Sequence, residues 1–99
     1  MKQHFKEPIE FLWDSGNANK NFRKHRVTNQ ECEEVFYDHS KQILKDPLHS
    51  REEDRFILIG QTKMLRDLFI VFTHRDAMVR VISARDLNKR ERNLYEEKT

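Results

Sequence analysis

Lys24 and His25 stand side by side in a stretch, Lys20 to Arg26, that also holds Arg23 and contains no acidic residue. A second basic zone lies far along the chain, where Arg80, Arg85, Lys89, Arg90 and Arg92 face only Asp86 and Glu91. Histidine changes charge near pH 6.5, roughly, so it can take and return protons around neutrality. Arginine presents a planar fork of donors that matches phosphate oxygens. Breaking an RNA phosphodiester without a metal needs a base for the 2′-hydroxyl, cations for the phosphorane and an acid for the departing 5′-oxygen. These residue types meet all three needs. Each also has an ordinary reading: helical spacing puts Ala18, Phe22 and His25 on one face, which suits a half-buried histidine at a helix C-terminus equally well. Lys89, Arg90 and Arg92 likewise suit a solvated helix face.

Other chemistries are poorly supplied. With only Gly16 and Gly60 there is no glycine-rich phosphate loop. Cys32 is the single cysteine, which excludes an internal disulfide or a cysteine zinc site and reads as a small buried hydrophobe. His39 with Asp38, Asp46 and His49 is the nearest approach to a ligand cluster, and polar loop residues explain it better, so neither metal nor cofactor is expected. No run approaches the roughly 20 apolar residues of a spanning helix, and Met1 to Pro8 lacks the apolar stretch of a secretory signal. A soluble, cytoplasmic protein is expected. Lysine and arginine exceed aspartate and glutamate by only 19 to 17, so the distribution of charge says more than its total.

Ninety-nine residues suit one domain, residues 1–99. Ile9 to Trp13 alternates as a short strand, and Asp14 can cap a helix over about Ser15 to His25. Thr28-Asn29-Gln30-Glu31 forms a capping box, with Val27 placed to staple onto Cys32. The second helix buries Cys32, Val35 and Phe36 and fades near Asp38. His39 to Glu53 reads as irregular or as an edge strand. Arg55–Ile59, Leu68–Thr73 and Val79–Ser83 then read as strands, separated by polar turns near Thr62-Lys63 and Arg75-Asp76. Leu68 to Phe72 is apolar on both faces and belongs mid-sheet. A last helix starts near Asn88, with Leu87, Leu94 and Tyr95 inward. The fold class is α+β: an antiparallel sheet of three to four strands packed by two N-terminal helices and one C-terminal helix. Strict alternation in the last strand puts Arg80 and Arg85 on opposite faces, and only a bulge or an early strand end brings them together.

Phe11-Leu12-Trp13-Asp14, Asn21 with Lys24-His25 and Val27, Phe36 with Asp38, Arg55 with Gly60, Phe72-Thr73-His74-Arg75, Arg80-Val81-Ile82-Ser83-Ala84-Arg85, Glu91-Arg92 and Tyr95-Glu96 follow one another in an order that resembles the BrnT toxins. The resemblance spans Phe11 to Glu96. It implies a RelE-like ribonuclease fold, cleavage of cellular RNA with arrest of growth, and neutralisation by a BrnA-like antitoxin that carries the operator-DNA contacts. It favours His25 as the proton-transfer residue, with Lys24, Arg80 and Arg85 as phosphate stabilisers and Arg55, Arg75 and Arg92 as RNA contacts. Tyr95 is placed to stack on a base or donate to a phosphate, although packing of the terminal helix explains it more simply. One position departs: relatives carry glycine after Lys-His, and this chain has Arg26. The alternative function is a non-catalytic RNA-binding or interaction module on the same scaffold. The catalytic reading requires the cations ending the first helix and those of the last strand to meet in one groove.

Overall fold

A computed structural model describes residues 8–47 and 53–98. His49 and the segment before Pro8 lie outside the described residues. The elements are α1 (Lys20–His25), α2 (Asn29–Val35), β1 (Gln42–Lys45), β2 (Arg55–Gln61), β3 (Asp67–Arg75), β4 (Met78–Asp86) and α3 (Lys89–Lys98). The strands form one sheet in the order β1-β2-β3-β4 with every pair antiparallel, as short connections favour. The α+β class and the antiparallel sheet thus agree with the sequence reading, and the edge-strand alternative for the middle segment is realised as β1.

β3 is interior and double-sided. One of its faces, Leu68, Ile70 and Phe72, joins Leu58, Val81 and Ala84 and is covered by Val27, Cys32, Val35 and Phe36 from α2 and its approach. The Phe36 and Phe72 rings meet edge to face with centroids 5.0 Å apart. The other face carries Phe69, which packs with Ile57, Ile59, Leu87 and Tyr95 where α3 crosses the sheet. An isolated helix as short as α2 is marginal in water, so its stability comes from this burial and from its cap. Thr28 accepts the Glu31 amide at 3.0 Å and Glu31 accepts the Thr28 amide at 3.0 Å, completing the capping box. Asn88 and Glu91 reciprocate in the same way ahead of α3.

Five expectations change. The first strand reduces to a parallel bridge between Phe11 and Val79, held by the Leu12 amide on Val79 O and the Val79 amide on Glu10 O, both 2.8 Å. The first helix begins only at Lys20, because Asp14, Asn17 and Asn19 divert the backbone into turns. Asp14 caps no helix: its carboxylate takes the Gly16 amide at 2.8 Å, and Asn19 is left-handed at φ 62°. The expected apolar face of α1 is not buried, since Phe22 and His25 are exposed and the residue turned inward is Asn21, only 3% exposed. Leu94 points outward at 47% exposure, while Leu87 and Tyr95 are buried as expected.

The polar inward face of α1 and of the turn before it has a structural reason: it closes the free edge of β4. Asn17 Nδ2 donates to Val81 O, Lys20 Nζ to Ile82 O, and the Ala84 amide donates to Asn21 Oδ1 at 2.9 Å. An open edge would otherwise present these groups to another chain. Arg26 adopts the left-handed conformation, φ 58° and ψ 34°, so the turn is kept without the glycine and strain of roughly 1 kcal/mol is accepted.

Leu65, in the β2–β3 turn, has φ 66° and is 73% exposed. Its side chain contributes little burial, so Leu65→Asn is expected to raise stability by roughly 0.5–1 kcal/mol, because asparagine tolerates this conformation. The urea midpoint measures it, and an unchanged or lower midpoint contradicts strain at this turn.

Candidate functional site

Register decides where the arginines stand. Val71 pairs with Ser83 but Phe72 pairs with Val81, so Ile82 is an extra residue and β4 bulges there. Alternation restarts after it, and Arg80 and Arg85 come to lie on the same face. Arg55, Thr73 and Arg80 form one cross-strand row, with Arg75 two residues further on the same side. Arg85 lies opposite Phe69, its guanidinium 4.1 Å from the ring centroid. Thr73 and Phe69 are four positions apart, so the two rows are separated by about 13 Å, the length of about four stacked nucleotides.

Arg75, Arg80 and Arg85 are each oriented by an acid. Arg80 Nη1 donates to Asp14 Oδ2 at 2.7 Å, and Gly16 lets the guanidinium pass, since a Cβ there would lie 2.9 Å from Arg80 Nη2. Arg75 pairs with Glu53, and Arg92 on α3 pairs with Asp67. Arg85 makes a two-pronged pair with Glu91, 2.8 Å on each arm.

α1 runs beside β4, with Lys20 at Ile82 and Asn21 at Ala84, so its C-terminal end arrives where β4 ends. There one nitrogen of Arg66, Nη2, donates both to His25 O and to Asp86 Oδ2, each at 3.1 Å. His25 and Lys24 are thereby brought to the Arg85 end of the sheet, together with Arg92. Arg80 belongs to the other group, with Arg55 and Arg75. Lys24 and His25 are exposed, and among the described residues neither side chain is held by a hydrogen bond or ion pair. Tyr95 is buried and donates its hydroxyl to Asp38 at 3.0 Å, the arrangement of a packing residue. Burial, and then the Asp38 carboxylate, raises its pKa. Cys32 is buried and its thiol is pushed up to about 12 by burial, far from a reactive thiolate.

Nothing in the local sequence marks Arg66. Its Nε and Nη2 grip the Asp86 carboxylate at 2.7 and 3.1 Å, and its Nη1 reaches Glu31 at 3.2 Å. The guanidinium also donates to Arg26 O at 2.7 Å and His25 O at 3.1 Å. These partners lie 20 to 41 positions away, so no local pattern announces them. The sequence around Asp14 suits a helix cap, and only the fold shows it holding Arg80.

A family model for "Ribonuclease toxin, BrnT, of type II toxin-antitoxin system" matches residues 13–91. The chain belongs to the BrnT family. BrnT proteins are ribonuclease toxins of type II systems, so this chain is a ribonuclease toxin with an antitoxin partner. No curated protein matches the chain significantly. Among the described residues no group of three or more His, Cys, Asp or Glu side chains forms a metal site, and no helix is long and apolar enough to cross a membrane.

Acid should act on this BrnT protein in two stages. Burial lowers the His74 pKa from its ordinary 6.5, so the unfolded chain binds that proton more readily, and stability falls as pH drops below about 6.5. Asp86 is lowered from 3.8 chiefly by the Arg66 hydrogen bond, and Glu91 from 4.5 chiefly by Arg85. For Glu31 burial alone would raise the value, but the Thr28 amide and Arg66 outweigh it. These depressed carboxylates stabilise fully above the ordinary 4.5 and 3.8, and that contribution is lost as pH falls through their lower folded values. Thermal melts from pH 8 to 3 should show both stages, and His74→Phe should remove only the upper one. A profile flat down to pH 3 contradicts both assignments.

Proposed function

We propose that this BrnT toxin is a metal-independent, RelE-like endoribonuclease that cleaves cytoplasmic RNA and arrests growth, and that a BrnA-like antitoxin neutralises it. The observation that supports the reading is the bulge at Ile82, which puts Arg80 and Arg85 on one sheet face, together with the end of α1 at His25, which lies beside Asp86, the residue after Arg85. His25 then moves the proton at the scissile ribose-phosphate, and Lys24 and Arg85 stabilise negative charge on the phosphorane. Arg80, with Arg55 and Arg75, holds the strand about four nucleotides away, and Arg92 supports the His25 end. Tyr95 contributes by fixing α3. Operator DNA is bound only through the antitoxin, and no cofactor is used.

The alternative, a non-catalytic RNA-binding or interaction module, draws support from one feature: Arg75, Arg80, Arg85 and Arg92 all have carboxylate partners in their own chain. Incubation of the purified chain with end-labelled RNA in EDTA separates the two. Discrete fragments with 2′,3′-cyclic phosphate ends are expected, and expression without the antitoxin should stop growth. Salt-sensitive RNA binding with the RNA left intact would favour the alternative.

A further inference from the structure

We infer that Arg66 is the positioning residue of this site, the side chain that sets His25 and Lys24 against the end of β4. The role rests on the proposed part of His25 in proton transfer. α1 has six residues and cannot hold a side chain in place unaided. Near its start it is tied to the sheet through Asn21 and Ala84, but its last carbonyls have no partner within the helix. Arg66 supplies both: Nη2 donates to His25 O at 3.1 Å and Nη1 to Arg26 O at 2.7 Å.

The other arms of the same guanidinium fix where that helix end must sit. Nε and Nη2 clamp the two oxygens of Asp86 at the end of β4, and Nη1 reaches the Glu31 carboxylate, itself engaged in the cap of α2. All five donors of a guanidinium are thus directed, and one rigid plane joins the ends of α1 and β4 and the start of α2 and β3. Its backbone is held as well, with the Arg66 amide on Thr62 Oγ1 at 3.1 Å and Arg66 O accepting from the Thr62 amide at 2.9 Å. A site built on a strained turn at Arg26 and a short helix needs such support, because displacement by about 1 Å can cost about 10²-fold in rate. Lysine cannot replace it: an ammonium has three donors and no fork.

A double-mutant cycle tests this, with single-turnover cleavage of an end-labelled RNA by the full chain and near-ultraviolet dichroism as the check that each variant is folded. Arg66→Lys is expected to lower the cleavage rate by about 10²-fold in the parent and by less than about threefold in a His25→Ala background. A residue that only stabilises the fold gives the same factor in both backgrounds, and that result overturns the role. Where Arg66→Lys fails to fold, Asp86→Asn removes the anchoring carboxylate while Arg66 keeps its hold on α1, and a coupled loss of about tenfold is expected in the same cycle. If His25→Ala alone cleaves as fast as the parent, the proposed chemistry falls and the role of Arg66 with it. An impaired His25→Ala variant with equal Arg66→Lys losses in both backgrounds removes Arg66 alone.

Discussion

Replacing His25 with alanine is expected to slow RNA cleavage by about 10²–10⁴-fold, the usual worth of a positioned proton-transfer group. Stability should stay within about 0.5 kcal/mol of the parent, since the side chain is exposed and, among the described residues, held by no hydrogen bond. That separation of effects makes the experiment decisive. Loss of activity with a preserved fold identifies chemistry, whereas a half-buried structural histidine would show the reverse. Arg85→Lys is the companion: it keeps the charge but surrenders the fork that Glu91 aims. Single-turnover cleavage with urea titration of each variant gives both readouts. Parent-like cleavage by His25→Ala would exclude the proton-transfer assignment.

Phe72→Ala should destabilise the fold by about 3–5 kcal/mol, the range for removing a buried aromatic. Phe72 is fully buried, with Phe36, Phe56 and His74 centroids at 5.0, 5.5 and 5.8 Å. Its ring sits where α2 meets three strands, so the lost volume cannot be filled without moving the sheet pairs Phe56–Phe72–Val81. Against the roughly 5–15 kcal/mol of an ordinary domain this removes a large share. Calorimetry should show a fall in Tm of at least about 12 °C. A change within about 4 °C would mean that the cluster rearranges freely and that the jigsaw picture of this core is wrong.

How far each feature could be read in advance follows from its range along the chain. The capping boxes at Thr28–Glu31 and Asn88–Glu91 were legible because both partners lie three residues apart. β3 was legible as an interior strand because an apolar run on both faces suits only a strand covered on both sides. α1 is misleading in sequence: the spacing of Ala18, Phe22 and His25 imitates a buried stripe, while Asp14, Asn17 and Asn19 divert the chain before a helix can begin. The bulge had no signal at all, since Ile82 is an ordinary strand residue, and its status as the extra one depends on pairing with β3.

The candidate site divides along the same line. Residue types and local periodicity already determined that this chain makes an α+β domain with two basic zones, and that a histidine stands in one of them. Hydrogen bonds between neighbours in sequence, and the alternation of apolar side chains, are short-range properties that any window of a few residues expresses. Only the tertiary structure decided that Arg80 and Arg85 share a face, that they form two groups rather than one, and that Arg66 ties the His25 end to Asp86. Those facts depend on strand register and on contacts between residues 20 to 41 positions apart. Their energies exist only once the chain has closed on itself.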